Sequence, residues 1–459
     1  MYEMDFTNPC HIHFIGIGGI SMSGLAEILL EKGYIVSGSD NQESDIVNTL
    51  RSRGVTIAIG QKADNITRDI DVVCYTAAIH KDNPEFAQAM AFQIPMLSRA
   101  ELLGQIMKHY KQAICISGTH GKTTTTSMLS HILLKAHTNP TISVGGILDA
   151  IGGNIRVGGP DVFLTEACEY TNSFLSFFPT IAAILNIEED HLDFFQDIND
   201  IRNSFRSFAS LIGKDGLLVI NGDIDKVTKI TKGLDCRVVT FGTQENNDYT
   251  AGNIEYDAQG NARYDLFYKD QLVMHIDLAV NGDHNIYNSI AAIIIARELG
   301  ITDSDIQAGL LSFTGTKRRF EYKGRIGNVT VIDDYAHHPT EIKATLHAAA
   351  RYPHRDTWVV FQPHTYSRTK AFLPQFAEAL SLADHVVLAD IYAAREIDTG
   401  EISSRDIEQL LIDMNVDVHY FPSFEEIEKF LLTNCKDNDL LITMGAGNVV
   451  LIGEELLNK

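Results

Sequence analysis

One short segment limits what this chain can fold into more than any other. Positions 114–124 read ICISGTHGKTT, and an apolar-periodic helical run follows at 128–134. A β-branched run, a glycine-framed turn, a lysine, a hydroxyl and a helix, in that order, predict a loop that binds the phosphates of a nucleoside triphosphate. The reason is that backbone N–H groups and the positive end of a helix dipole attract anions.

Within this phosphate loop we expect Lys122 to reach the terminal phosphates and Thr123 to hold a magnesium ion. The common form of the motif has its first glycine where this chain has Ile116, so the loop is a variant. The alternative is a chance strand–turn–helix, but glycines, lysine and hydroxyl all fall in one frame. The predicted phosphate contacts are Gly118, Thr119, His120, Gly121, Lys122, Thr123 and Thr124.

Length and charge narrow the class of protein. A chain of 459 residues predicts about three domains at ~150 residues per domain. The net charge of −23 argues against a nucleic-acid partner, because phosphate backbones attract basic surfaces. No apolar run approaches the ~20 residues of a membrane span, and the acidic N-terminus lacks a signal-peptide layout. The six scattered cysteines are typical of reduced thiols, so we expect a cytoplasmic protein.

The first third of the chain carries a second glycine loop. A strand-like run at 11–15 leads into GIGGISMSG (16–24), and the next strand ends at the acid Asp40. This is the fingerprint of a dinucleotide-binding unit, with Ser21 at the third glycine position. Two interpretations stay open: NAD, with Asp40 on a ribose, or a different nucleotide diphosphate. The strand end at Thr76 and Ala77 is expected to form a ligand-binding loop over the same sheet.

In the middle third, polar residues follow two apolar strands. Glu166 and Glu169 follow the strand at 161–165, and a carboxylate at the end of this strand is a candidate magnesium ligand. The strand at 181–186 ends in an acid–histidine–acid cluster around His191, which also fits a loop or helix-cap histidine.

Three further patterns occur in the middle third. The glycine-rich stretch 141–159 predicts an irregular, functional loop. Alternation at 248–280 predicts an antiparallel meander, to which we assign a structural role only. Asn285 and Asn288 share the first turn of a helix, where their amides can read an adenine edge; N-capping is the alternative.

The last third repeats the alternation of strand and polar junction. Adjacent Arg318 and Arg319 indicate anion binding or a surface ion pair. Strands at 329–333, 358–361, 385–389 and 440–444 each run into a polar cluster. Four such strand ends predict a second open parallel sheet with a binding edge.

At this point the chain is identified as a member of the Mur ligases of peptidoglycan synthesis, and it most resembles those that add L-alanine to UDP-N-acetylmuramate. The resemblance spans essentially the whole chain. It rests on the ordered segments GIGGISMSG (16–24), GTHGKT (118–123), EACE (166–169), EDHLD (189–193), NIYN (285–288), RRFE (318–321), DDYAHHPTE (333–341), HTYSRT (364–369) and YAARE (392–396).

The resemblance implies an α/β fold of three domains. Residues 1–111 would be a Rossmann-like UDP-sugar domain, and 112–314 a phosphate-loop ATPase domain that includes the meander. Residues 315–459 would be a Rossmann-like lid with a parallel sheet that brings the amino acid. In such ligases the first glycine loop holds a UDP diphosphate and not NAD.

The resemblance also implies an activity, ATP-dependent joining of L-alanine to the lactyl carboxylate of UDP-N-acetylmuramate through an acyl phosphate. Lys122, Glu166 and His191 would be catalytic. Two magnesium ions, which manganese can replace, would be held by Thr123, Glu166 and His191. Arg319 and Asp334 would join the ATP site. The implied UDP-sugar contacts are Gly16, Gly18, Gly19, Ile20, Ser21, Asp40, Thr76, Ala77 and His120.

Two departures from the family pattern affect the expected sites. Several Mur ligases use a carbamylated lysine downstream of the EDHLD segment, but 201–206 reads IRNSFR, so we predict none. Some alanine-adding members have an arginine where this chain has Thr365. The amino-acid carboxylate would then bind mainly to Arg368, and His337 or His364 would contribute a further contact.

Three functions other than L-alanine addition stay open. A murein-recycling ligase adds a tripeptide to the same UDP-sugar and shares DYAHHP, although the GIGG of the first loop favours the alanine enzyme. A nicotinamide-dependent oxidoreductase explains the first loop but not the phosphate loop. A non-catalytic nucleotide-binding module is the third. We expect a monomer or weak homodimer with no nucleic-acid or membrane partner.

Overall fold

Three β-sheets, formed by successive parts of the chain, organise the fold. The computed structural model describes residues 2–76, 78–394 and 396–458, so the predicted UDP contact Ala77 lies outside the described residues, as does Arg395 of the YAARE segment. The sheets have five, ten and six strands. This confirms the predicted three-part α/β architecture, while the exact domain boundaries stay a prediction.

The first sheet is parallel, with strand order β3-β2-β1-β4-β5. Its strands are β1 (His11–Ile15), β2 (Ile35–Asp40), β3 (Thr56–Ile59), β4 (Val72–Tyr75) and β5 (Met96–Ser98). Its helices are α1 (Ile20–Glu31), α2 (Asp45–Ser52), α3 (Pro84–Ala91) and α4 (Arg99–Met107). The strand order reverses between β1 and β4, so the glycine loop and Thr76 meet at the crevice where such sheets bind ligands.

The second sheet has the order β15-β14-β13-β12-β11-β10-β6-β9-β7-β8. Its strands are β6 (Gln112–Ser117), β7 (Thr141–Leu148), β8 (Gly153–Arg156), β9 (Val162–Ala167), β10 (Ile181–Ile184), β11 (Leu217–Asn221), β12 (Arg237–Gly242), β13 (Tyr249–Tyr256), β14 (Asn261–Tyr268) and β15 (Gln271–Asn281). Its helices are α5 (Lys122–Lys135), α6 (Ile198–Ala209), α7 (Val227–Thr231), α8 (His284–Glu298) and α9 (Asp303–Ser312). Strand β6 lies between β9 and β10 and is parallel to both, so their polar carboxyl ends converge on the phosphate loop.

The predicted irregular loop at 141–159 is wrong. Strand β7 pairs in parallel with β9 and forms an antiparallel hairpin with β8. The hairpin packs on α1 of the first sheet. The predicted meander is confirmed as the antiparallel strands β13, β14 and β15.

The third sheet has the order β16-β17-β21-β18-β19-β20. Its strands are β16 (Glu321–Ile326), β17 (Val329–Asp334), β18 (Thr357–Phe361), β19 (His385–Leu388), β20 (Asp417–Tyr420) and β21 (Leu440–Met444). Its helices are α10 (Pro339–Ala349), α11 (Tyr366–Ala371), α12 (Leu373–Leu380), α13 (Ser404–Asp413), α14 (Phe424–Asn434) and α15 (Val450–Leu457). The predicted parallel strands are present, and β16 adds an antiparallel edge. Across the described chain, every helix is too short or too polar to cross a membrane.

Candidate active site

The phosphate loop joins β6 to α5 through a glycine that no other residue can replace without strain. Gly121 precedes the helix with φ of 83°. A Cβ at this position would also lie 2.6 Å from Oδ1 of Asn288. A left-handed backbone and this close approach both require glycine.

Asn186, which the sequence analysis missed, braces the phosphate loop. Its backbone oxygen accepts from the Thr119 N–H at 3.2 Å, and its Oδ1 accepts from the His120 N–H at 2.7 Å. Its Nδ2 donates to the His120 oxygen at 3.0 Å. Two predicted phosphate donors are therefore used within the protein, which leaves the N–H groups of 121–124 at the helix N-terminus. A polar residue after a buried strand was the available signal.

Lys122 is folded back onto the loop. Its Nζ donates to the oxygens of Thr119 at 3.0 Å and Gly118, and to Oε2 of Glu169 at 3.1 Å. Burial opposes the charge of Lys122, but the carboxylate of Glu169 outweighs it and raises the pKa of Lys122 above its usual value. The lysine is charged and held where a triphosphate would meet it.

Thr123 and Glu166 present adjacent oxygens. Thr123 Oγ1 donates to Glu166 Oε2 at 3.1 Å, and the Gly145 N–H donates to Oε1 at 2.5 Å. Burial raises the pKa of Glu166, although the Gly145 N–H and the charge of Lys122 oppose the shift. Magnesium prefers such oxygen ligands, so these two residues fit one ion.

The structure does not bring His191 to that pair. Its ring stacks on Tyr170 with centroids 4.5 Å apart. Within residues 2–76, 78–394 and 396–458, no hydrogen bond, ion pair or ring contact joins His191 to Thr123 or Glu166. A metal role for His191 stays a prediction.

A different trio comes within ligand range, namely His120, Glu188 and His338, whose ligand atoms lie within 4.8 Å of one another. His338 uses both ring nitrogens, since Nε2 donates to the Glu189 oxygen at 3.0 Å and Nδ1 accepts from the Thr340 N–H at 3.3 Å. The trio is therefore a contact between the second and third parts of the chain, not an open ligand set.

A cavity of about 370 Å³ lies beside the phosphate loop between the second and third sheets. It gathers seven of the predicted ATP contacts: His120, Gly121, Thr124, Asn285, Asn288, Arg319 and Asp334. The meander contributes Gln259, Asn261 and Asn281 to the wall, and its purely structural role stays a prediction. Asn288 Nδ2 donates to Asn285 Oδ1 at 3.0 Å, which leaves mainly Asn288 Oδ1 free to meet a ligand.

Arg319 and Asp334 enter this cavity from the third part of the chain. Asp334 accepts from the N–H groups of Phe320 at 2.9 Å and Ala336 at 2.8 Å. Burial raises the pKa of Asp334 to about 6, although Arg319 opposes the shift. Arg318 instead donates to Asp333 at 3.1 Å, so of the two arginines only Arg319 faces the cavity.

His120 links the phosphate loop to the third part of the chain. Its Nδ1 lies 3.2 Å from Glu341 Oε1, and its Nε2 lies 3.6 Å from Glu188 Oε2. Burial opposes protonation, but the two carboxylates outweigh it and raise the pKa of His120 to about 9. Thr340 also donates to Glu188 at 2.6 Å. The two parts are closed on each other.

A second cavity, of about 510 Å³, holds the predicted amino-acid residues His364 and Arg368 together with His191. The Arg368 guanidinium already bonds Asp190, at 2.9 Å from Nη2, so an incoming carboxylate would share it. Burial lowers the pKa of His364 to about 4, and that of His337 to about 4. Both rings are neutral at neutral pH. His337 contacts His364 with ring centroids 5.7 Å apart.

The first glycine loop is closed by its predicted acid. The Gly18 N–H donates to Asp40 Oδ2 at 2.8 Å, so Asp40 shapes the loop. A Cβ on Gly16 would lie 3.1 Å from Thr76 Cγ2, which brings both predicted contacts together. Gly19, Ile20 and Ser21 are exposed at the start of α1, where N–H groups attract a diphosphate. His120, which was also predicted to contact the UDP-sugar, does not lie at this loop but lines the cavity beside the phosphate loop.

Fold and site together define a nucleotide-dependent enzyme class: two α/β units with nucleotide loops and a third that closes over the phosphate loop. Comparison with protein families agrees. Residues 11–111 match the Mur ligase family catalytic domain, 116–296 the Mur ligase middle domain, and 318–447 the Mur ligase glutamate ligase domain. The chain belongs to the Mur ligase family.

Individual relatives are similar over the full chain. UDP-N-acetylmuramate–L-alanine ligase of Agathobacter rectalis is 59% identical over 459 residues, and that of Lachnospira eligens is 58% identical over 458, each covering 100% of both chains. The crystal structure of UDP-N-acetylmuramate–alanine ligase from Thermotoga maritima has a TM-score of 0.81 at 29% identity and covers 98% of both chains. A murein peptide ligase from Psychrobacter arcticus shares the fold, with a TM-score of 0.71 at 24% identity and 98% coverage of both chains.

Proposed function

We propose that this protein joins L-alanine to the lactyl carboxylate of UDP-N-acetylmuramate, with ATP as the energy source, in peptidoglycan precursor synthesis. The observation that carries the proposal is the closed junction at the phosphate loop, where one cavity is lined by Gly121 and Thr124 and a second holds His191 and Arg368. Full-length relatives named for L-alanine favour this amino acid over a tripeptide.

The reaction needs an anion to approach a triphosphate. A lactyl carboxylate oxygen would bond to the γ-phosphorus as the bond to the ADP oxygen breaks. The alanine amine would then attack the acyl carbon, phosphate would leave, and the amine would lose a proton. Cations aimed at the transferring phosphoryl group make the first step possible. Lys122 and Arg319 supply them, and Arg319 is in place only when the third part of the chain is closed.

Thr123 and Glu166 would hold magnesium, which on binding neutralises phosphate charge. We further propose that a second magnesium ion binds at His191, and that manganese can replace magnesium at both sites. The leaving phosphate can take up the proton that the amine loses. His364 lines the second cavity, and its Nδ1 accepts from the Arg368 guanidinium at 3.2 Å, so its neutral ring would help to hold the arginine that meets the amino-acid carboxylate. The closed junction excludes water from an acyl phosphate.

The proposal also assigns a substrate to each of the three domains. Residues 1–111, 112–314 and 315–459 would act as the UDP-sugar, ATP and amino-acid domains. The glycine loop at 16–21 would bind the UDP diphosphate, with His120 near the sugar-borne carboxylate. The protein would work in the cytoplasm as a monomer or weak homodimer, without a nucleic-acid or membrane partner.

The test is ADP release with UDP-N-acetylmuramate and a panel of L-alanine, L-serine, glycine and the recycled tripeptide. L-Alanine should give the highest kcat/KM. A preference for the tripeptide would replace the proposal by the recycling ligase. A change in NAD(P)H absorbance would favour the oxidoreductase, and no substrate-stimulated hydrolysis would favour a non-catalytic module.

A further inference from the structure

The hairpin formed by β7 and β8 contacts the nucleotide loops of two different sheets. One arm lies on the first glycine loop, where Asn154 Nδ2 donates to the Ile20 oxygen at 3.0 Å. Beside it, Ile155 packs so closely on α1 that a Cβ on Gly24 would lie 2.2 Å from Ile155 Cδ1. This arm is fixed to the helix whose N-terminus faces the diphosphate site.

A bulge within β7, residues 144–147, lies on the candidate metal ligands. The Gly145 N–H donates to Glu166 Oε1 at 2.5 Å, and a Cβ on Gly145 would lie 2.9 Å from Oε2. A Cβ on Gly146 would lie 3.3 Å from Thr123 Cγ2 and 3.2 Å from Thr316 Cγ2. The backbone can approach these side chains because both positions are glycine.

Strand register explains why this bulge turns toward Glu166. Strand β7 follows β9 up to the pair Ser143–Thr165, one residue before Glu166. Its pairing with β8 then breaks between Ser143 and Leu148. The freed segment 144–147 leaves the ladder, and its first glycine donates to the carboxylate instead of to a strand.

We propose that Gly145 is a positioning residue for Glu166, and that the β7–β8 hairpin couples the UDP-sugar site to the metal–ATP site. The proposal rests on the function proposed above and deepens it. Strand β7 sets the orientation of the metal-binding carboxylate, while β8 contacts the start of α1 at the diphosphate loop. A UDP-sugar that orders this loop also orders Glu166.

Two quantitative consequences follow. Disturbing the group that orients a metal ligand typically lowers metal affinity by about 10–100-fold. A Cβ at position 145 would do so, because it would push Glu166 away from the N–H that orients it. Coupling between two binding sites is reciprocal, so magnesium-bound nucleotide must change UDP-sugar affinity by the same factor as the reverse.

The first experiment compares Gly145→Ala with Gly153→Ala by calorimetry, with the non-hydrolysable analogue AMP-PNP and magnesium as probes. Gly153 lies in the same hairpin, and a Cβ there would meet nothing within 4 Å. Gly145→Ala should need about tenfold or more magnesium for half-maximal AMP-PNP binding, with binding in EDTA unchanged. Equal magnesium dependence in the two variants overturns the positioning role.

The second experiment measures UDP-N-acetylmuramate affinity with and without magnesium and AMP-PNP, in wild type, Ile155→Ala and Ile35→Ala. Ile35 is an exposed isoleucine outside the hairpin and serves as the control. The ratio of affinities should fall to 1 only in Ile155→Ala, and a wild-type ratio of 1 overturns the coupling. Absence of any UDP-N-acetylmuramate binding by wild type would instead contradict the proposed function, and the Gly145 comparison would still stand.

Discussion

Arg368 binds Asp190 across the closed junction, with Nη2 at 2.9 Å and Nε at 3.2 Å from the same carboxylate oxygen. Both side chains are buried, at 10% and 9% exposure. Burial opposes the charge of Asp190, but Arg368 outweighs it and lowers the pKa of Asp190 below its usual value. The residue predicted to bind the amino acid therefore also holds the third part of the chain to the second.

Arg368→Ala should lower both stability and activity, because it leaves a buried carboxylate without its partner. Breaking such a pair typically costs about 3–5 kcal/mol. Thermal unfolding and kcat/KM for L-alanine measure the two effects. Lys370→Ala is the control, since it breaks only the exposed pair with Glu401, and exposed pairs contribute about 0–1 kcal/mol. Equal melting temperatures of the two variants would show that the Arg368 pair does not stabilise closure.

Lys122→Ala should abolish ADP release, with a loss of at least about 10²–10³-fold, because it removes a cation aimed at the transferring phosphoryl group. UDP-N-acetylmuramate affinity, measured by calorimetry in the absence of nucleotide and magnesium, should be unchanged because the glycine loop at 16–21 lies in another sheet. Lys111→Ala, which removes an exposed partner of Asp161, serves as the control. A parallel loss of UDP-sugar binding in Lys122→Ala would count against separate nucleotide sites.

Local sequence patterns were sufficient for most of the architecture. Buried runs such as Ile181–Ile184 form strands because they are apolar and end at polar residues. The glycine loops at 16–21 and 118–121 lie at strand ends because glycine permits the tight turn before a helix. The seven ATP contacts that share one cavity were predicted on this basis and on the family resemblance.

Contacts between distant segments were not predictable in the same way. His120 and Glu341 are 221 positions apart, and neither residue type by itself indicates a partner. Asn186 was passed over because an asparagine after a strand has many possible roles. Strand β7 was predicted as irregular because its glycines have low strand propensity, but pairing with β9 overrides that preference.

His120 should make stability depend on pH in a defined window. Its pKa is raised from 6.5 to about 9 in the folded protein, so the protonated ring contributes stability that is fully present below pH 6.5 and is lost as pH rises through about 9. The gap in melting temperature between wild type and His120→Gln should therefore shrink over this range. The exposed His347→Gln is the control, and a gap that stays constant with pH would contradict the ion pairing of His120 with Glu188 and Glu341.

Thr365→Arg should lower the KM for L-alanine. Thr365 lines the second cavity four residues after Phe361 and three before Arg368, so an arginine there would add a second cation beside one that Asp190 already engages. A hydrogen bond to a charged group contributes about 1.5–3 kcal/mol, which corresponds to about tenfold or more in KM. Steady-state ADP release at varied L-alanine measures it.

The control for that substitution is Thr365→Met, because both variants alter the same backbone position. Thr365 has φ of 69°, and its Oγ1 accepts from the Arg368 N–H at 3.4 Å. Both substitutions keep a side chain at positive φ but remove the β-branch, and both remove the cap. Shared changes in melting temperature therefore report the backbone, whereas a lower KM in the arginine variant alone reports the added charge. Equal KM values would place the amino-acid carboxylate away from position 365.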